Sequence, residues 1–162
     1  MKFLIVLLLP LSSLAQKTWL KPFITKNDVV IYSCQAIAGT ADGYNQTLIH
    51  HYNGFRRAYP NLDEKFWNPK ISDRNKYKNY PSDTREAFLG SKTIFVFVTD
   101  GFHLTRFIDR SFTTFSVAIS YGDIMSYPKN QRVLVIIKKL VLSSLANRLA
   151  FNIVYSQFNN NK

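Results

Sequence analysis

Beyond Asp123 the chain carries no acidic residue, while Lys129, Arg132, Lys138, Lys139, Arg148 and Lys162 follow. The same block is strongly apolar. Arg132 leads into Val133-Leu134-Val135-Ile136-Ile137, the lysine pair is followed by Leu140-Val141-Leu142, and Leu145, Leu149, Phe151 and Ile153-Val154-Tyr155 continue the pattern. Taken as a helix over 132–158, the block favours a membrane interface or a partial span, with Lys138 and Lys139 snorkelling toward the surface if it inserts. The same lysine pair interrupts any clean apolar span.

The 21 basic residues outnumber the 10 acidic ones, for a net charge of +11 over 162 residues. Such a balance in an exported chain points to anionic lipid as the partner and argues against nucleic acid, for which no recognition module is visible. Thirteen Phe, nine Tyr and two Trp supply enough apolar area to exclude disorder, and the length fits one domain. The lone Cys34 excludes an internal disulfide framework and a cysteine-based zinc site; it is expected to pack as a small apolar residue.

At the amino terminus, Met1-Lys2 precedes the apolar run Phe3 to Leu9, followed by Pro10 and Ser12-Ser13-Leu14-Ala15. A positive start, a short apolar run and small residues at Ser13 and Ala15 read as an export signal over 1–15, cleaved after Ala15 or retained as an N-terminal anchor. Residues 16–162 then form a single helical, membrane-associated domain, at the inner membrane or its periplasmic face.

Within that domain Val29 to Tyr52 reads as a helix opening after Asn27-Asp28 as N-cap, with small residues at Ala38, Gly39, Ala41 and Gly43 that let another helix approach closely. Residues 53–92, with Pro60, Pro69 and Pro81 and many aromatic and basic residues, read as one long irregular loop, tacked to the helices by Phe66-Trp67-Asn68-Pro69. Thr93 to Ser120 reads as helical again, breaking near Asp109-Arg110-Ser111, although Ile94 to Thr99 has the composition of a buried strand. The fold expected is all-α: three or four helices with one aromatic loop.

On a helical wheel Asp42, Gln46 and His50 fall at roughly 0°, 40° and 80°, so they share one face, and Asp100 and His103, three apart, share another. Ala41-Asp42-Gly43-Tyr44 can also be laid on Thr99-Asp100-Gly101-Phe102, as an internal duplication placing two Asp-Gly pairs at equivalent depths would require. If the two faces meet, Asp42, Asp100 and His103 converge, a carboxylate, carboxylate and imidazole set suited to a divalent metal ion, a polar head group or a proton relay. No HExxH, EF-hand or nucleophile-elbow motif accompanies it, so no reaction is indicated.

The ordered set Ala41-Asp42-Gly43, His51-Tyr52, Phe66-Trp67-Asn68-Pro69, Asn75-Lys76-Tyr77, Gly90-Ser91 and Thr99 to Leu104 resembles a family of small uncharacterised helical membrane proteins of certain Gram-negative bacteria. The resemblance covers roughly 29–158 and implies membrane location without any chemistry. Two functional expectations follow. One is a membrane protein that binds a metal ion or polar head group at an intramembrane cluster of Asp42, Asp100 and His103, with Gln46 and His50 nearby. The other is a non-catalytic scaffold or accessory subunit that docks a protein partner through Phe66, Trp67 and Tyr77. A hydrolase with His50 or His103 as general base is the remaining alternative.

Overall fold

In the computed structural model, which describes residues 23–158, the first helix opens on a capping box. Thr25 Oγ1 accepts from the Asp28 amide and the Asp28 carboxylate accepts from the Thr25 amide, satisfying two donors that the first turn would leave open. Helix α1 (Lys26–His50) therefore starts earlier than Val29, with Thr25 as the N-cap residue and Asp28 as its third residue. The export signal and anchor readings of 1–15 lie outside the described residues.

Residues 53–92 carry more local structure than the single irregular loop expected of them. Helix α2 (Tyr52–Ala58) continues from α1 after a break at His51. Asp63 and Asn68 cap two single-turn helices, α3 (Glu64–Trp67) and α4 (Pro69–Ser72), each accepting from an amide two residues on. A 3₁₀ turn leads into an antiparallel hairpin of β1 (Tyr77–Asn79) and β2 (Asp83–Glu86), whose turn contains the cis Tyr80–Pro81 bond.

Helix α5 (Gly101–Met125) differs from the helical stretch expected over Thr93 to Ser120 at its start, at the expected break and at its end, which reaches Met125. It begins only at Gly101, because Asp100 turns its carboxylate onto the His103 amide and caps there; residues 94–98 are turns and a 3₁₀ stretch. It then runs unbroken through Asp109-Arg110-Ser111, none of which carries the proline or glycine chemistry that stops a helix. After Ser126 to Pro128 comes α6 (Lys129–Phe158), about 45 Å long at 1.5 Å per residue.

Among the described residues three long helices thus dominate an all-α arrangement, with α1 wedged between the other two. It runs antiparallel to α5, with Asn45 beside Thr105, Gln35 beside Ser116 and Asn27 beside Asp123. It runs parallel to α6, with Asp28 beside Lys139, Gln35 beside Asn147 and His51 beside Tyr155. The small residues of α1 serve this second contact. A Cβ at Gly39 would collide with the Asn147 carbonyl oxygen, and one at Gly43 would press on Phe151 and Val154. Beyond its end, Leu48, Phe55, Val154 and Phe158 close an apolar cluster, against which Tyr44, Tyr52 and Trp67 pack.

Polarity is distributed against the usual rule. Among the described residues, buried polar and charged side chains are as numerous as buried apolar ones, while large apolar side chains of α1, α5 and α6 face outward. On α6 the row Val133, Ile137, Val141, Leu145, Leu149 and Ile153 recurs every four residues, and each of its members is more than half exposed. Lys138 and Lys139 point the other way, onto Asp28, so they do not snorkel. Among the described residues no helix is long and apolar enough to cross a membrane, and the transmembrane helix expected from the sequence has no counterpart there.

Candidate functional site

Asp100 and His103 come together as their spacing requires. The Asp100 carboxylate is almost wholly buried and accepts three bonds, from the His103 amide at 2.8 Å, from His103 Nδ1 at 2.7 Å and from the Thr99 hydroxyl at 3.1 Å. The second of these engages Nδ1 of the imidazole, which leaves Nε2 as the other ring nitrogen for a ligand. Two neighbours fix this corner. The Trp67 ring lies where a Cβ on Gly101 would sit, and the Asn75 side-chain amide donates to the Thr99 carbonyl at 2.9 Å.

A cavity of about 470 Å³ opens beside the pair. Leu48, Ile49 and Tyr52 form one wall, Phe102 and His103 another, and Asn68, Lys70, Ser72 and Asp73 close it from the loop. Burial and the nearby Glu64 charge push the Tyr52 hydroxyl up, so it stays a neutral donor.

Asp42 and Gln46 share a face of α1, as predicted, but belong to a second recess of about 240 Å³ formed with Asn45, Arg106, Asp109 and Arg110. The expected convergence of Asp42 with Asp100 and His103 is therefore corrected: Ile49 and Phe102 line both cavities and stand between the two groups. The duplication fails for a related reason, since Asp42 sits within a helix while Asp100 caps one. His50 is exposed at the last turn of α1, and its neighbour His51 meets the Tyr155 hydroxyl at 2.9 Å. Among the described residues no group of three or more His, Cys, Asp and Glu side chains is placed to hold a metal ion, so the three-residue ligand set does not form.

The aromatic loop residues are largely engaged within the chain. Trp67 packs on Gly101 and lies 5.7 Å from the Phe55 ring, Phe66 meets the Trp67 ring at 5.2 Å, and Tyr77 pairs with Tyr80 at 5.6 Å. The exposed apolar tip lies further on, at Phe88, Leu89, Ile94 and Phe95.

Comparison with known proteins returned no matching family model, no similar curated protein and no similar solved structure.

One feature of the geometry was missed from the sequence. Asp28, fully buried, takes Lys138 Nζ at 2.7 Å and Lys139 Nζ at 2.6 Å; Lys139 also reaches Asp123 at 2.9 Å, which in turn accepts from the Asn27 amide at 2.6 Å. Burial alone would raise both carboxyls, but bonds to the lysines hold Asp28 and Asp123 below their usual range. Burial likewise would depress Lys139, yet its two carboxylate partners push it up. Asp28 and Lys139 are far apart in sequence, and the only local signal was an acid at an N-terminal third position facing an acid-free, lysine-bearing helix.

Proposed function

We propose that the chain is a membrane-associated helical protein that receives a polar head group in the cavity beside Asp100 and His103, at the inner membrane or its periplasmic face. The observation that carries the reading is the inverted polarity of the three long helices. A soluble monomer seldom leaves a six-residue apolar row exposed along a 30-residue helix while burying three carboxylates and a lysine. Contact with acyl chains gives that row a favourable environment without a spanning helix. The net charge of +11 adds attraction to anionic lipid. Within the cavity the Lys70 ammonium supplies a donor for head-group oxygens, and the imidazole, its Nδ1 engaged by Asp100, presents Nε2 as an acceptor for a head-group hydroxyl or ammonium.

Flotation with vesicles tests both parts. The full chain is expected to float with anionic vesicles and to survive an alkaline carbonate wash in part. His103→Gln is expected to weaken selectivity among head groups while flotation persists. A chain that stays wholly at the bottom of the gradient overturns the membrane reading, and unchanged head-group selectivity in His103→Gln overturns the assignment of the cavity.

A second reading is favoured by the apolar tip at Phe88, Leu89 and Ile94: a non-catalytic scaffold or accessory subunit that docks a protein partner there. Leu89→Ser with Ile94→Ser should then abolish a co-purifying partner and leave flotation intact.

A further inference from the structure

The recess on the Asp42 side of Ile49 and Phe102 has a charge pattern of its own. Asp42 and Gln46 enter from α1, Arg106, Asp109 and Arg110 from α5, each set at spacings that share one helix face. Two carboxylates and two guanidiniums around about 240 Å³ would ordinarily close on one another. Among the described residues none of the four forms an ion pair.

Two of the four, Arg106 and Asp109, are instead engaged by their own helix. Asn45 fixes the floor, donating to the Phe102 carbonyl at 2.8 Å and to the Thr105 hydroxyl at 3.0 Å, which sets the register of α1 against α5. The Arg106 guanidinium lies 5.9 Å from the centre of the Phe102 ring. Asp109 accepts from Thr113, and burial together with the Asp42 charge pushes its carboxyl up against the opposing pull of Arg110 and Arg106, neither of which closes on it as an ion pair.

We propose that this recess binds a small zwitterion carrying a primary ammonium and a phosphate, of the phosphoethanolamine kind, with Asp42 and Asp109 on the ammonium and Arg106 and Arg110 on the phosphate. The guanidinium fork matches phosphate oxygens two at a time, and a primary ammonium has three donors to share among two carboxylates and the Gln46 side-chain oxygen. A bare divalent cation suits the carboxylates but is opposed by both arginines. A quaternary ammonium has no N–H to give the carboxylates. The inference stands apart from the membrane reading, because soluble phosphoethanolamine and the phosphatidylethanolamine head group present the same two charges.

Calorimetry on the full chain with soluble ligands is the test. Phosphoethanolamine should bind at one site at least about tenfold more tightly than ethanolamine, phosphocholine or inorganic phosphate, the loss expected when one charge-assisted set of bonds is removed. Asp42→Asn should weaken phosphoethanolamine by a similar factor and leave inorganic phosphate unchanged, whereas Arg106→Gln should weaken both. Should Asp42→Asn fail to fold, the exposed Arg110→Gln, with the phosphate-sensitive pattern of Arg106→Gln, serves in its place. Inorganic phosphate binding as well as phosphoethanolamine, magnesium binding in its stead, or no saturable heat would each overturn the proposal. Phosphatidylcholine vesicles with and without phosphatidylethanolamine then separate the sources. An Asp42-dependent gain in flotation assigns the site to the lipid, and soluble binding without that gain assigns it to the free phospho-amine; either upholds the recess as a zwitterion site. Failure of flotation alongside intact soluble binding removes the membrane reading only.

Discussion

Lys139 is the side chain on which the interior depends most directly. It is almost fully buried and neutralises two buried carboxylates on two other helices, so truncating it strands Asp123 and leaves Asp28 with Lys138 alone. Lys139→Met is expected to cost about 3 to 5 kcal/mol, the range for removing one partner of a buried ion pair, read as a lower urea midpoint. Acid should act on the same network. Asp28 and Asp123 have folded values depressed below the ordinary 3.8, so their contribution is fully present above that value and is lost as the pH falls through the depressed ones. Asp109 runs opposite, its value being raised, and contributes below 3.8 what it loses as the pH rises. Two depressed buried carboxylates against one raised, partly exposed one set the net sign: melting followed by circular dichroism should move to lower temperature as the pH drops below about 4. A melting temperature that rises into acid would contradict the pairing of Asp28 with its lysines.

Glycines of the long helices make opposite predictions according to what faces them. Gly39→Ala drives a methyl group into the Asn147 backbone of α6, where no flexible side chain can yield, and is expected to destabilise by about 1 to 3 kcal/mol. Gly122 has no atom within 4 Å of its would-be Cβ, so Gly122→Ala in α5 should stabilise by about 0.5 to 1 kcal/mol through helix propensity alone. Paired urea denaturations give both signs in one experiment. The small-residue stretch at Ala38, Gly39, Ala41 and Gly43 was legible in the sequence because close approach demands missing side chains whichever helix is the partner. Helix limits were less legible. Thr25 caps through a reciprocal bond with Asp28, and Asp100 ends a stretch whose apolar residues read as continuing; both depend on where a short polar side chain turns, which periodicity does not carry.

Across the whole molecule, the outer row of α6 should govern behaviour toward lipid. Replacing Val133, Ile137, Val141 and Leu145 by serine is expected to abolish flotation with anionic vesicles while helicity is retained, since these residues contribute little to internal packing. Loss of helical signal in the same variant would show that the row packs inside an assembly. The pairing of Asp100 with His103 could be foreseen because three residues on a helix start are neighbours whatever the tertiary fold. The separation of Asp42 from them could not, because it rests on how α1 and α5 slide past each other, fixed by Asn45 on the Phe102 carbonyl.

The wedge of α1 between α5 and α6 also bears on how the chain is made. Asp28 finds its counter-ions 110 and 111 residues later, so a ribosome must deliver all the intervening chain before that carboxylate is neutralised. Until α6 emerges, the glycine-lined side of α1 has nothing to close on, and a nascent chain cut short of Lys138 holds its first helix with a stranded charge. Assembly of this fold therefore waits for α6, and the unfinished bundle must be kept from its neighbours until that helix emerges.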